Sequence, residues 1–275
     1  MLKSSMMRAA GVALAVVASV LFLRGYEAVA QTTPPAATPA PAPPQTAPAT
    51  PPAAATPAAA QPVSDTTAFY VNIVDLEISP SLISRFMADL SDDVKGTLSE
   101  AGVHEIDSNV GQKDPDHVFI FEVYNNSAAW DAHQKSATYG KFIGLTMMMI
   151  KNYNIRPFTS LVLNSSTAAP PATGPLYVNV EEFDVDPDQY NNFIVAAKVE
   201  ATGAVQDPGV REFNVATATS TKNHILLFEV YDNAAALEAE MATDRYKTYQ
   251  AKTKPMIVKN TVTPYSSVSL NAKTP

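Results

Sequence analysis

The chain has 275 residues, carries 19 Lys and Arg against 27 Asp and Glu for a net charge of −8, and contains no cysteine. The acidic balance, with no cluster of Lys and Arg, argues against nucleic acid or an anionic membrane as a partner. The lack of Cys excludes disulfides, thiolate metal sites, iron–sulfur clusters and haem attached through Cys, so a folded unit must be stable through its core alone.

Residues 1–30 read as an export signal: Lys3 and Arg8 precede an apolar run from Ala9 to Leu23, and Ala28-Val29-Ala30 offers the small-x-small pattern of a cleavage site. The other reading is an uncleaved anchor, but the apolar run falls short of the ~20 residues a spanning helix needs. Both place the chain outside the cytoplasm, periplasmic or secreted. Residues 31–66 are almost wholly Ala, Pro and Thr, a disordered linker with little to bury and a bias toward extended conformations.

The remainder is one sequence written twice, as residues 67–168 and 174–275. Tyr70-Val71-Asn72 recurs as Tyr177-Val178-Asn179 and Phe121-Glu122-Val123-Tyr124 as Phe228-Glu229-Val230-Tyr231, both at an offset of 107 (177 minus 70, 228 minus 121). In the first copy Tyr70 to Ile78 alternates as a half-buried strand. After Ser79-Pro80, Leu82, Phe86, Leu90, Val94 and Leu98 recur every fourth residue as the stripe of an amphipathic helix. Gly102 opens a second strand to Val110, and His117 to Tyr124 is a third, the two forming a hairpin. Asn126 caps a short helix through His133, a second helical run spans Tyr139 to Ile150, and a last strand spans Ile155 to Leu163. The order βαββααβ predicts an α+β fold of two ferredoxin-like repeats. Helices on one face leave the other face of each sheet apolar, so the copies should pack sheet to sheet as an internal pseudo-dimeric α+β barrel. Further homo-oligomerisation is left open.

The residues resemble the antibiotic biosynthesis monooxygenase domain family, a dimeric α+β barrel group. The shared pattern is Ala101-Gly102 before strand two (Pro208-Gly209 in the second copy), a strand ending Phe-Glu-Val-Tyr, and Ala128-Ala129-Trp130-Asp131-Ala132-His133 followed by the aromatic Tyr139. The family's oxygenases act without metal, flavin or haem, so the resemblance implies no cofactor, with a small aromatic substrate and molecular oxygen as partners. A base deprotonates the phenol or quinol and the resulting anion passes an electron to oxygen. On that likeness His133 is the base, Trp130, Tyr139 and Phe142 are aromatic walls, and Asn72 and Tyr124 donate hydrogen bonds to substrate oxygens.

Plainer readings stand beside these. Trp130 and Phe142 have the spacing of core residues, His133 suits a packing role equally, His117 and His224 read as hairpin residues, Glu122 and Glu229 as barrel-edge partners, and Met147 to Met149 as filler. The second copy has Glu240 for His133, Leu237 for Trp130 and Tyr249 for Phe142, so one working site is expected, in the first copy. The places where haem-degrading members carry Trp and an iron-ligating His hold His133 and Ile143, and Ile120 stands where the actinorhodin-type oxygenases have a strand-three Asn. The expectation is an exported quinol or polyphenol monooxygenase-like protein; the alternative is a non-catalytic binding module for a small aromatic or apolar ligand.

Overall fold

A computed structural model of the chain describes residues 68–166 and 174–272. The expected export signal and linker lie outside these residues. Among them the chain forms eight strands and six α-helices. None of these helices is long and apolar enough to cross a membrane.

The first copy runs β1 (Tyr70–Ile78), α1 (Ile83–Thr97), β2 (Val103–Gly111), β3 (His117–Tyr124), α2 (Ser127–His133), α3 (Ala137–Thr146) and β4 (Ile150–Val162). Pro80 opens the single 3-10 turn that leads into α1, where its missing N–H costs nothing. Asn126 and Ser136 cap α2 and α3, each accepting a hydrogen bond from the backbone N–H three residues on. The second copy repeats the order as β5 (Tyr177–Val185), α4 (Tyr190–Ala204), β6 (Val210–Ala218), β7 (His224–Tyr231), α5 (Ala234–Met241), α6 (Asp244–Thr253) and β8 (Ile257–Ser269).

All pairings are antiparallel, and the strand order β1-β3-β2-β8-β5-β7-β6-β4 closes into a barrel. Each copy contributes a four-stranded sheet whose two edges pair with the edges of the other, β2 with β8 and β4 with β6. The two sheets thus share hydrogen-bonded ladders as well as a packed interior, and no edge is left for another chain to pair with.

β1, which its alternation alone marks as half-buried, is covered on both faces, as the expected sheet-to-sheet packing requires. Val71 and Ile73 point into the lumen with Phe119, Phe121 and Val123, while Val74, Leu76 and Ile78 pack under α1 with Phe86, Leu90 and Val94. Across the lumen the equivalent rings Phe121 and Phe228 stack at 4.4 Å, 5° from parallel. The second helical run also ends earlier than expected, at Thr146, because the chain turns so that the Ser79 N–H can donate to the Met149 carbonyl. β4 accordingly begins at Ile150 rather than Ile155, its first residues pairing with the end of β1.

Gly102 sets the approach of helix to sheet. Its φ of +80° suits glycine alone, and a Cβ there would lie 2.8 Å from the Ala129 Cβ on α2. Gly209 repeats the arrangement against Ala236, with φ of +85°. The small-residue pattern of the two copies is therefore a packing requirement: α2 and α5 can sit this low only on glycine and alanine.

Candidate active site

Alternation along β1 and β3 turns Asn72, Glu122 and Tyr124 to the helix side of the sheet, and α2 and α3 bring Trp130, His133 and Tyr139 over them. His133 is 3% exposed, and its ring lies 4.9 Å from Tyr139, 5.7 Å from Trp130 and 5.9 Å from Tyr124. Five of the six residues singled out from sequence thus meet in one buried group. Phe142 is the exception in its contacts: its ring packs edge-on against Phe86 at 5.7 Å, one turn along α3, within the same helix-covered core.

The polar geometry is specific. Asn72 Nδ2 donates to Glu122 Oε2 at 2.9 Å, and the Tyr124 hydroxyl donates to the same oxygen at 3.3 Å. His133 Nδ1 lies 3.1 Å from Glu100 Oε2, and the carboxylate can only accept, so Nδ1 carries the proton and Nε2 the lone pair. Burial pushes the His133 pKa below its ordinary 6.5, against the opposing pull of Glu100. The imidazole is therefore neutral at neutral pH and able to accept a proton.

Two carboxyl groups share this environment. Burial lifts Glu122 to about 7 despite the donors Asn72 and Tyr124, which favour its ionised form. Burial and the neighbouring Glu100 lift Asp93 to about 7 as well. Tyr139 rises to about 12, through burial and the charge of Glu122. Glu122 is the residue that sequence reasoning misplaced: it lies beneath the helices, in the middle of the group, and not at a barrel edge. The available signal was its position two residues before Tyr124, on the same face, in a segment repeated in both copies.

Between α1 and α3 a cleft of about 240 Å³ reaches Asp93 and Phe142 from the surface, flanked by Thr138 and Lys141, and stops short of His133, Trp130 and Tyr139. A second cleft, about 270 Å³, opens around Asp75, His117 and Tyr153 and touches none of the group around His133. His117 and His224, read as hairpin residues, each face carboxylates: in this cleft His117 Nε2 lies 3.4 Å from Asp75, and in the second copy His224 lies 2.9 Å from Glu182 and 2.8 Å from Asp184. The methionine run divides, with Met149 in the core and Met148 fully out in solvent.

The second copy keeps the sheet half of the group and changes the helix half. Asn179 donates to Glu229 at 2.8 Å and Tyr231 to the same oxygen at 3.2 Å. Glu240 occupies the place of His133, and Arg245 donates to Glu240, Glu200 and Asp207 at 3.0, 3.0 and 2.7 Å. Burial and Glu200 nevertheless lift Glu240 to about 8. Glu240 and Leu237 stand in place of the imidazole and the indole, and Arg245 clamps Glu240 to two further acids.

The comparisons with known proteins agree with this architecture. Two solved structures named "putative monooxygenase" superpose over 75% of this chain. The one from Fusobacterium nucleatum subsp. nucleatum has a TM-score of 0.69, 19% identity and 95% of its own length covered. The one from Lactobacillus acidophilus has a TM-score of 0.68, 20% identity and 97% covered. An anthrone oxidase-like protein superposes over 76% of this chain and 94% of its own, with a TM-score of 0.54 and 11% identity. At these identities the likeness is one of fold. No curated protein matches the sequence significantly. The model of the antibiotic biosynthesis monooxygenase family matches residues 69–145 and again 176–252, one match on each copy. The chain belongs to the antibiotic biosynthesis monooxygenase family, with two of its domains in tandem.

Proposed function

We propose that the first copy is a cofactor-independent monooxygenase-like site for a quinol or other small polyphenol. The observation that carries this reading is the neutral His133 imidazole, held by Glu100 and surrounded by Trp130, Tyr139 and Tyr124. In the reaction a phenolic proton passes to Nε2, and the resulting anion transfers electrons to oxygen. A quinol supplies all four electrons: one oxygen atom enters the ring, the other leaves as water, and the product is a hydroxyquinone. Water exclusion around the anion, aromatic contacts to a flat ring and a hydrogen-bond donor are what such a step requires; Asn72 has a second Nδ2 hydrogen to offer, while Tyr124 gives its one hydroxyl hydrogen to Glu122 and can serve a substrate only by turning away from it. The cleft beside Phe142 and Asp93, about 240 Å³ against the ~300 Å³ and above of ordinary ligand pockets, has room for a single ring; of the proposed site residues only Phe142 lines it, so a substrate must pass α3 to meet His133.

Oxygen uptake with a panel of reduced quinones, corrected for autoxidation, tests the proposal. His133→Ala should lower turnover at least about a hundredfold, the lower range for a positioned base. Equal rates in wild type and variant would remove the assignment.

A second reading has its own support, since His133 is nearly inaccessible and the second copy has Glu240, not an imidazole, at the equivalent place. It is a non-catalytic binding module for a small aromatic or apolar ligand, and turnover no faster than buffer would favour it. On either reading we place the protein outside the cytoplasm after cleavage behind Ala30. Intact mass of the exported chain checks this by the presence or absence of residues 1–30.

A further inference from the structure

The lumen of the barrel is apolar at its centre and acidic at both ends, and the two ends are neutralised differently. At one end Asp75 and Glu182, equivalent residues of the two copies, are bridged by the Arg156 guanidinium. At the other, Glu105 and Asp107 of β2 meet Glu212 of β6, from a strand on the opposite wall, with one oxygen of each within 4.8 Å of the others. All three are buried. A bulge at the start of β2 and another at the start of β6 set this orientation, so that Glu105 lies opposite Val123 and Glu212 opposite Val230, both lumen residues.

The groups that act on these carboxyls are one another, the Asn214 side chain and the Asn271 N–H. Three carboxylates brought together out of water repel by several kcal/mol unless something positive joins them. Burial and the neighbouring acids push Glu105 and Glu212 well above the ordinary 4.5, so without a cation they hold protons and hydrogen-bond within the cluster, whereas the Asn271 N–H, donating to Asp107 Oδ1 at 2.8 Å, and Asn214 Nδ2, reaching Glu212 at 3.4 Å, favour the ionised forms. Oxygens are also left over. Outside the cluster's own carboxyl groups no N–H or hydroxyl reaches Glu105 Oε1 or Asp107 Oδ2, and none reaches Oδ1 of Asn109, a fully buried lumen residue two places beyond Asp107 on the same face. The Asn109 amide is oriented by its Nδ2, which donates to the carbonyls of Asp107 and Phe119.

We propose that Glu105, Asp107 and Glu212, with the amide oxygen of Asn109, bind a hard divalent cation of the calcium type at this end of the lumen. The donor set is all oxygen, the preference of Ca²⁺, Mg²⁺ and Mn²⁺ and not of softer metals. Ca²⁺ takes its oxygen ligands at about 2.4 Å, so one ion can touch oxygens that lie within 4.8 Å of one another. The cation would do for the β2 and β6 walls what Arg156 does at the far end. It would tie the two copies together independently of the chemistry around His133.

The test uses the purified protein, stripped with EDTA and titrated with CaCl₂, with MgCl₂ as comparison. Bound metal is measured by equilibrium dialysis and mass spectrometry, and the melting temperature is followed in parallel. The expected result is one Ca²⁺ per chain and a melting temperature raised by about 5–10 °C at a hundredfold excess over the dissociation constant. Asp107→Asn introduces the residue that the second copy carries as Asn214, and it should weaken binding at least tenfold. Glu212→Gln, on the other copy, should do the same and serves if Asp107→Asn fails to fold. A melting temperature indifferent to CaCl₂ and EDTA, with no bound metal, would overturn the proposal and leave shared protons as what neutralises the cluster. Calcium bound equally well by wild type and both variants would overturn it too.

Discussion

The Arg156 guanidinium of the first copy holds the Glu182 carboxylate of the second through two hydrogen bonds of 2.6 and 2.9 Å. The same guanidinium donates to Asp75 at 2.9 Å, so one side chain links the two copies at the mouth of the barrel. Replacing it with leucine leaves the two carboxylates facing each other with only the His117 and His224 imidazoles beside them. Because the group is about a quarter exposed, the expected loss is about 1–3 kcal/mol, below the range for fully buried pairs. The urea midpoint of Arg156→Leu measures it.

The acid response should change in the same variant. Burial works to raise the Glu182 carboxyl, but His224 and Arg156 outweigh it and hold it at about 2. Its stabilisation is complete above the ordinary 4.5 and is lost as the pH falls toward 2. Without Arg156 that loss should begin nearer the ordinary value, so acid unfolding of Arg156→Leu should shift to higher pH. An unchanged acid transition would contradict this.

For Glu122 the sign is opposite. A carboxyl raised to about 7 contributes stability that is complete below 4.5 and is lost as the pH rises through 7. Glu122→Gln keeps the size of the side chain and cannot ionise. Relative to wild type the variant should therefore gain stability between pH 5.5 and pH 8, as read from urea unfolding at the two values.

If His133 is the base, the pH profile of turnover should carry its acidic limb below 6.5, because burial lowers the imidazole pKa. A limb near 7 that vanishes in Glu122→Gln would move the role to the carboxylate. Rates across pH 5–9 for wild type and the two variants decide between them.

Gly102→Ala should be strongly destabilising, by about 2 kcal/mol or more. The substitution combines a left-handed backbone with a Cβ driven against Ala129, and Gly209→Ala should behave alike. Thermal melts of both variants provide the check.

What could be read from the sequence was what is local or repeated. β1 and β3 follow from alternation and begin and end where it does, and the capped α2 follows from Asn126 and its alanines. The start of β4 escaped because Lys151, Asn152 and Asn154 read as loop, yet they pair with β1 at the barrel mouth, where polar side chains stay wet. Burial of both β1 faces followed from the duplication and the expected sheet packing and not from the strand itself, because alternation of large with smaller residues does not distinguish a wet face from a tightly packed lumen. In the site, the aromatic residues and His133 were legible through a family pattern. Glu100 was not: it reaches His133 across 33 residues of chain, and no period in the sequence marks such a contact. Glu122 was passed over because a lone acid in a strand ordinarily faces water.

Joining both halves of the barrel in one polypeptide has a further effect. In a barrel made of two identical chains, the self-complementary interface duplicates every residue, and a side chain near the axis must coexist with its own image. Arginine at the place of Arg156 would then come as a pair competing for the same two acids. Here its counterpart is Thr263, and a single cation serves both. Asp107 faces the analogous situation with Asn214, and His133 with Glu240. A substitution in this protein is therefore felt once rather than twice, so one half can change its chemistry while the other preserves the barrel that both depend on.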